Sequence, residues 1–355
     1  MMIYAWQEKL WNTLIDSKAN LPHAQLLYGQ AGIGKRDFAE NLAHALLCES
    51  PANSGAACGG CAACRWLAAG THPDYAVLQP DYAPAQSDSG AGEGDTAPAE
   101  EIVTEKAKKQ TSITVAQVRK LIDFVSLSSS RGGRRVVLVH PAETMNVNAA
   151  NALLKTLEEP QPGTMFLLVS NQMQKLPPTV RSRCLKIAMP SPSRQEALEW
   201  LAKQGVQNPE ISLAQAGNAP LKALDLTIGD YQEKRTAFLS GLEEAQNRDP
   251  LALAEMSEKW ELAWVLNWLQ TWVYDLVALK TTGSIRFHLD FMQPITISAN
   301  QVDLLALLDF QRDLLNAQRS LQHPLNTRLL LERLLLTYWQ IMNHKQERFG
   351  ASLKI

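Results

Sequence analysis

The sequence carries almost no excess of charge of either sign. Its 34 Lys and Arg stand against 36 Asp and Glu, a formal net charge of −2. Proteins that coat nucleic acid by bulk electrostatics are usually basic, so only a local basic patch is compatible with this balance. Long apolar runs are also missing. The best candidate, Leu262 to Leu279, is interrupted by Asn267, Gln270 and Asp275, which argues against a membrane span. The first residues, Met-Met-Ile-Tyr-Ala-Trp-Gln-Glu, lack a basic stretch followed by an apolar one, so no signal peptide is expected. The chain is expected in the cytoplasm, with no membrane partner. There thiols stay reduced, and clustered cysteines read as metal ligands before disulfides.

What is present is a globular balance, 46% hydrophobic and 20% charged over 355 residues, enough for more than one domain. Residues 24–29 read as a short buried strand running into a glycine-rich turn. A helix follows with Phe38, Leu42 and Leu46 on one face. Residues 81–110, rich in Ala, Gly, Ser, Pro and Glu, are expected to be a flexible surface insertion. Order resumes at Ile113, with a helix around Val115–Val125. Arg131-Gly-Gly-Arg-Arg135 reads as a turn, followed by a strand Val136–Val139, a helix Asn148–Leu157 and a strand Met165–Val169. This alternation predicts a parallel sheet in an α/β domain. Pro190-Ser-Pro192 reads as a linker. Beyond it, residues 194–228 read as a small helical unit, and long amphipathic helices dominate from about Tyr231.

Gly29-Gln-Ala-Gly-Ile-Gly34-Lys35 fits the strand–loop–helix phosphate motif up to its last position. Gly29, Gly32 and Gly34 let backbone N–H groups turn inward, and Lys35 would reach the outer phosphates at a helix amino terminus. Ser or Thr should follow, because its hydroxyl holds Mg²⁺. Arg36 stands there instead, with no acceptor oxygen and with a positive charge that repels a metal. The second acidic centre is missing too. An active ATPase of this type ends its next buried strand in Asp-Glu, where this chain has His140-Pro141 after Val136-Val-Leu-Val139. Glu143 reads as too far along to replace it. Taken alone, the loop is also compatible with a purely structural turn.

The cysteines are Cys48, Cys58, Cys61, Cys64 and Cys184. Cys58-Gly-Gly-Cys61-Ala-Ala-Cys64 places three thiolates in two tight turns, and Cys48 at the end of the preceding helix can supply a fourth. Four thiolates suit tetrahedral Zn²⁺ in a closed, structural site. The triple spacing argues against a redox pair or unligated thiols. His72, beside Pro73, reads as a loop residue.

Residues 151–184 contain Asn-Ala-Leu-Leu-Lys-Thr-Leu-Glu-Glu-Pro160, Phe-Leu-Leu-Val-Ser-Asn171 and Leu-Pro-Pro-Thr-Val-Arg-Ser182-Arg183-Cys184. They closely resemble the clamp-loader branch of the AAA+ family. The resemblance spans most of the chain, including Tyr4-Ala-Trp6-Gln, the zinc insertion and Asn326-Thr-Arg-Leu-Leu-Leu-Glu-Arg-Leu-Leu-Leu336. In that family the Ser-Arg-Cys arginine reaches the ATP site of a neighbouring subunit, where a guanidinium neutralises charge developing on the γ-phosphate. Arg183, between Ser182 and Cys184, is the matching residue. Read without the family, it is more often a surface salt-bridge partner.

Motor ATPases of this family would keep Lys-Ser or Lys-Thr and Asp-Glu, and the delta subunit would lack both zinc and Ser-Arg-Cys. This chain resembles neither. The resemblance implies a stator that hydrolyses no ATP itself. Its partners would be clamp-loader ATPase subunits and a delta subunit in a hetero-pentamer, which loads a sliding clamp onto primed DNA within DNA polymerase III. It also implies three domains: a P-loop AAA+ domain over 1–189 (zinc module about 48–64, parallel sheet with helices on both faces), a helical lid over 190–230, and an all-α collar over 231–355. Pro220 stands where ATPase members often carry a sensor arginine. Trp260, Trp264, Trp268 and Trp272, with Leu266 and Leu269 beside them, read as one helical stripe, either domain core or subunit interface. The rival readings are a hydrolysing motor and a zinc-bearing DNA-binding adaptor. Arg36 and His140-Pro141 count against the first, and near-neutral charge against the second.

Overall fold

The chain divides after Ser191 into two units, Met1–Ser191 and Pro192–Ile355. The computed structural model describes residues 3–80, 112–127, 129, 133–243, 249–319 and 326–343. The 81–110 insertion and Arg131-Gly132 of the expected turn lie outside the described residues.

In the first unit, β1 (Ala24–Tyr28), β2 (Tyr75–Leu78), β3 (Arg135–Val139), β4 (Thr164–Ser170) and β5 (Leu185–Ala188) form one sheet in the order β2-β3-β4-β1-β5. Every pairing is parallel, as in Leu26↔Leu168 and Leu138↔Leu167. β3 and β4 are buried along their whole length, as continuous apolar strands covered on both faces must be. Alternation sorts the side chains. Leu26, Val137, Phe166 and Leu168 face α4 (Val115–Ser126) and α5 (Val147–Glu158), with Val118, Leu121, Leu153 and Leu157. Leu27, Val136, Leu138, Leu167 and Val169 face α1 (Glu8–Asp16) and α2 (Lys35–Leu47), with Trp11, Phe38 and Leu42. The expected parallel sheet with helices on both faces is therefore present. α3 (Ala62–Ala68) follows α2, and α6 (Pro178–Arg181) precedes β5. Later strands lie on both sides of β1. The loop after it thus opens at a carboxyl edge, where parallel sheets place ligand crevices.

β2 and β5 are absent from the sequence reading. Both are edge strands of four residues, too short for a clear period. β3 begins one residue earlier than expected, at Arg135, whose charge hides it. Its buried guanidinium lies 3.1 Å from Asp74 and donates to the carbonyls of Phe124 and Leu127. A cation there satisfies the orphan carbonyls at the end of α4.

The second unit is helical. α7 (Arg194–Lys203), α8 (Pro209–Gln215) and α9 (Pro220–Asp225) close on Ala197, Leu201, Leu213 and Ala223. Ser193 and Glu196 form a reciprocal capping box at the start of α7, a local stop-and-start signal after the proline linker. α10 (Tyr231–Glu243), α11 (Pro250–Glu258), α12 (Leu262–Thr282), α13 (Met292–Gln301), α14 (Leu304–Arg319) and α15 (Thr327–Asn343) surround a larger core.

The tryptophans do not share one helix: Trp260 precedes α12. Trp268 and Trp272 are fully buried, while Trp260 and Trp264 pack half-buried against the same core. Each buried indole has a partner, Trp268 donating to Tyr231 Oη at 2.7 Å and Trp272 to Tyr338 Oη at 2.8 Å. Trp272→Ala is expected to cost about 3–5 kcal/mol of unfolding free energy by leaving a cavity. Trp272→Phe should cost less, chiefly the donor lost to buried Tyr338. Urea unfolding of both variants checks the order.

A polar knot ties α10 to α12. Buried Arg235 meets Asp290 at 2.6 and 2.9 Å and donates to His288 Nδ1 at 2.7 Å. Burial, beside Arg235, pushes His288 down to about 3, so it stays a neutral acceptor. Asp275 accepts backbone N–H groups of Arg286, Phe287 and His288. No helix among the described residues is long and apolar enough to cross a bilayer.

Candidate functional site

The phosphate loop leaves β1 at Tyr28 and enters α2 at Lys35. Gly32 and Gly34 have φ of 78° and 83°, left-handed conformations that favour glycine. At Gly34 there is a second constraint: a Cβ would lie 2.3 Å from the Tyr4 ring. The amino-terminal residues are built onto this loop. Tyr4 stacks on Trp6 and donates to Asp37 at 2.6 Å. Trp6 and Gln7 both donate to the Ile33 carbonyl, at 3.1 and 2.8 Å. In the sequence Tyr4-Ala-Trp6-Gln stands out only through the family resemblance; its local signal is three polar-tipped side chains close together.

Lys35 is buried and its Nζ donates to the Gln30 carbonyl. Burial lowers its pKa to about 8, and the charge of Glu143 works in the other direction. Arg36 is ion-paired with Glu40 on the next turn of α2, 2.8 Å away. It offers no metal-holding oxygen. After β3, His140 donates its backbone N–H to Leu78. Burial, with Arg36 next in effect, lowers the pKa of its ring.

Glu143 does not replace the missing acidic pair, but it comes close to the loop. A short 3-10 turn, Ala142–Thr144, brings its carboxylate back to the sheet edge, where it accepts the Asn171 backbone N–H at 3.0 Å. It is close enough for its charge to act on Lys35. It remains a single carboxylate, with no hydroxyl beside Lys35 to complete a magnesium shell.

Cys48, Cys58, Cys61 and Cys64 converge, with all four sulfurs within 4.8 Å of one another. The Cys48–Cys61, Cys58–Cys64 and Cys48–Cys64 separations are 3.9, 3.9 and 3.7 Å. Four thiolates at about 2.3 Å from a central Zn²⁺ in a tetrahedron would stand about 3.8 Å apart, so this donor set fits that ion. Local structure makes the cluster. Cys48 caps the end of α2, and Cys61 caps the start of α3, accepting from the Cys64 N–H. The N–H groups of Gly60 and Cys61 point at Cys58 Sγ and lower its pKa. Burial pushes Cys64 up, and a cation among the four sulfurs would favour the thiolates. Cys184 lies outside the cluster, its buried thiol raised to about 11. His72 is not among these four. It is buried, and its Nδ1 accepts from Asp74 N.

Ser182-Arg183-Cys184 follows α6. Cys184 is buried in the sheet core and anchors the turn, Ser182 donates to the Thr179 carbonyl at 3.0 Å, and the Arg183 side chain is about a third exposed, 31%. Its Nε and Nη2 donate to Glu158 Oε1, and Nη1 donates to the Thr179 carbonyl. The bland reading of Arg183 as a salt-bridge partner is therefore also realised. Pro220 begins α9, with no arginine at that place.

Residues 6–193 match the protein family described as DNA polymerase III, delta subunit, and residues 230–340 match DNA polymerase III, delta subunit, C terminal. A DNA polymerase III subunit delta' of Pseudomonas aeruginosa is 38% identical over 350 residues, covering 95% of this chain and 97% of that protein. The subunit delta' of Yersinia pestis is 31% identical over 349 residues, covering 94% and 95%. Among solved structures, a DNA polymerase III gamma subunit-related protein of Thermotoga maritima superposes with a TM-score of 0.45 at 18% identity, covering 95% of this chain and 99% of that one. The 38% and 31% identities to the two delta' subunits, each along nearly the whole chain, show the family: the protein belongs to the delta' subunits of DNA polymerase III.

Proposed function

We propose that this chain is the non-hydrolysing stator of a clamp loader. It stands beside an ATPase subunit, lends that subunit Arg183, and so takes part in loading a sliding clamp onto primed DNA in the cytoplasm. The observation that carries this reading is Arg36. It occupies the position of the magnesium-holding hydroxyl and is ion-paired to Glu40, while the glycine geometry of the loop is kept. Such a loop retains a phosphate-shaped turn and loses the metal chemistry. The Ser-Arg-Cys turn keeps a guanidinium at the surface, where a neighbour's nucleotide can be reached. Residues 190–230 serve as the lid and residues 231–355 as the collar that joins it to ATPase and delta subunits in a pentamer. Zinc bound by Cys48, Cys58, Cys61 and Cys64 has a structural role, since four protein ligands leave no open position for substrate.

The isolated chain is expected to hydrolyse no ATP and to bind Mg·ATP weakly or not at all. Arg36→Ser should not create activity, because His140-Pro141 still lacks the metal-shell and water-activating carboxylates, and Glu143 is a single carboxylate. Isothermal titration and a coupled ATPase assay check both. Co-purification with the cell's other clamp-loader subunits tests the assembly. Robust turnover by the unmodified chain would make it a motor and overturn the stator reading.

A further inference from the structure

Arg183 does not lie loose on the surface. Of its five N–H donors, those on Nε and Nη2 that meet Glu158 form a charge-assisted pair with Oε1. Nη1 is held by the Thr179 carbonyl at 2.8 Å, with Ser182 Oγ at 3.4 Å. Nη2 has a second N–H, and among the described residues no other acceptor takes it. The guanidinium is thus clamped on one side and keeps donor capacity on the other.

Both clamping groups stand on fixed elements. Thr179 is in α6, next to fully buried Val180. Glu158 is the last residue of α5, directly after fully buried Leu157. A carboxylate at a helix carboxyl terminus faces the negative end of the helix dipole and is unfavourable there. Helix stability therefore gives no reason for Glu158 at this place, and the pair with Arg183 does. A long arginine side chain held before its ligand arrives loses less freedom on engagement, and a planar fork is the shape best suited to such preorganisation.

We propose that Glu158 is a positioning residue for Arg183: it holds the guanidinium in the orientation from which the remaining donors meet the phosphate of a neighbouring subunit's nucleotide. This rests on the trans-acting role proposed for Arg183. Glu158 touches no substrate and acts only through the arginine.

The test uses the reconstituted complex, with hydrolysis at the other sites of the ring silenced, and compares Glu158→Ala, Glu158→Gln, Arg183→Ala and the double variant Glu158→Ala/Arg183→Ala. Glu158→Ala should lower the turnover number at the neighbouring site on the order of fivefold, the scale of a partly exposed ion pair. The KM for ATP and the melting temperature should not move. Glu158→Gln, which keeps an acceptor oxygen without the charge, should fall between wild type and alanine. In the Arg183→Ala background, Glu158→Ala should cause no further loss, since its only route is gone. A normal or faster rate with Glu158→Ala, while Arg183→Ala is slow, overturns the positioning role alone. So does an undiminished loss in the Arg183→Ala background. Arg183→Ala with no effect overturns the trans-acting role, and this inference with it.

Discussion

Replacing Arg183 by alanine is expected to slow ATP hydrolysis at the one neighbouring site it serves by about 10³- to 10⁵-fold, the range a trans arginine supplies to phosphoryl transfer. In a ring with several active sites the total rate falls only by that site's share, so DNA-stimulated ATPase activity and clamp loading are both to be measured. The variant should fold and assemble normally. Arg183 is partly exposed, its loss releases the exposed Glu158 carboxylate to water, and the packing of the turn rests on buried Val180 and Cys184. Arg183→Lys should rescue only part of the rate. An ammonium keeps the charge, but it loses the planar fork that spans two oxygens and also fits the Glu158–Thr179 clamp. An alanine variant that assembles and loads clamps at the wild-type rate makes Arg183 a structural salt-bridge residue.

Arg183 and its partner Glu158 differ in how visible they are in the sequence. Arg183 was legible because a contiguous motif surrounds it. Its partner Glu158 lies 25 positions earlier, and the pairing appears only when α5 and α6 are folded against the same face of the sheet. Glu143 shows the same limit, since its nearness to the loop depends on a single 3-10 turn. Strands β1, β3 and β4 were legible because burial on both faces leaves apolar runs. Edge strands β2 and β5 were not, having one open side and four residues each. The aromatic stripe was visible as spacing, but spacing does not reveal where a helix starts, and Glu261 at the N-cap of α12 leaves Trp260 outside it. Asp275 read as a polar interruption of an apolar run. In the fold it is the acceptor that fixes residues 286–288.

Removing the metal is the second large perturbation. We expect about one zinc per chain by elemental analysis, falling to near zero in Cys61→Ser/Cys64→Ser or after strong chelation. Apparent binding free energies of structural zinc in small peptides are about 10–16 kcal/mol, which could suggest collapse of the whole first unit. The local structure argues otherwise. Residues 49–60, between Cys48 and Cys61, are mostly exposed, and of their apolar side chains Ala56 alone packs, partly buried, against the core. Ordering each of these dozen residues costs about 1–2 kcal/mol of backbone entropy. Over the segment that cost is comparable to the binding free energy itself, so metal binding chiefly orders this segment. The sheet rests on a core that contains none of the four ligands. Metal loss should therefore free residues 49–60 and the start of α3, raising hydrogen exchange there by several orders of magnitude, while β1, β3 and β4 keep their protection. Retention should weaken as pH falls, because protons compete with the metal for thiolates. Metal-free protein in which residues 49–60 stay as protected as in the metal-loaded form would remove zinc from the account of this fold.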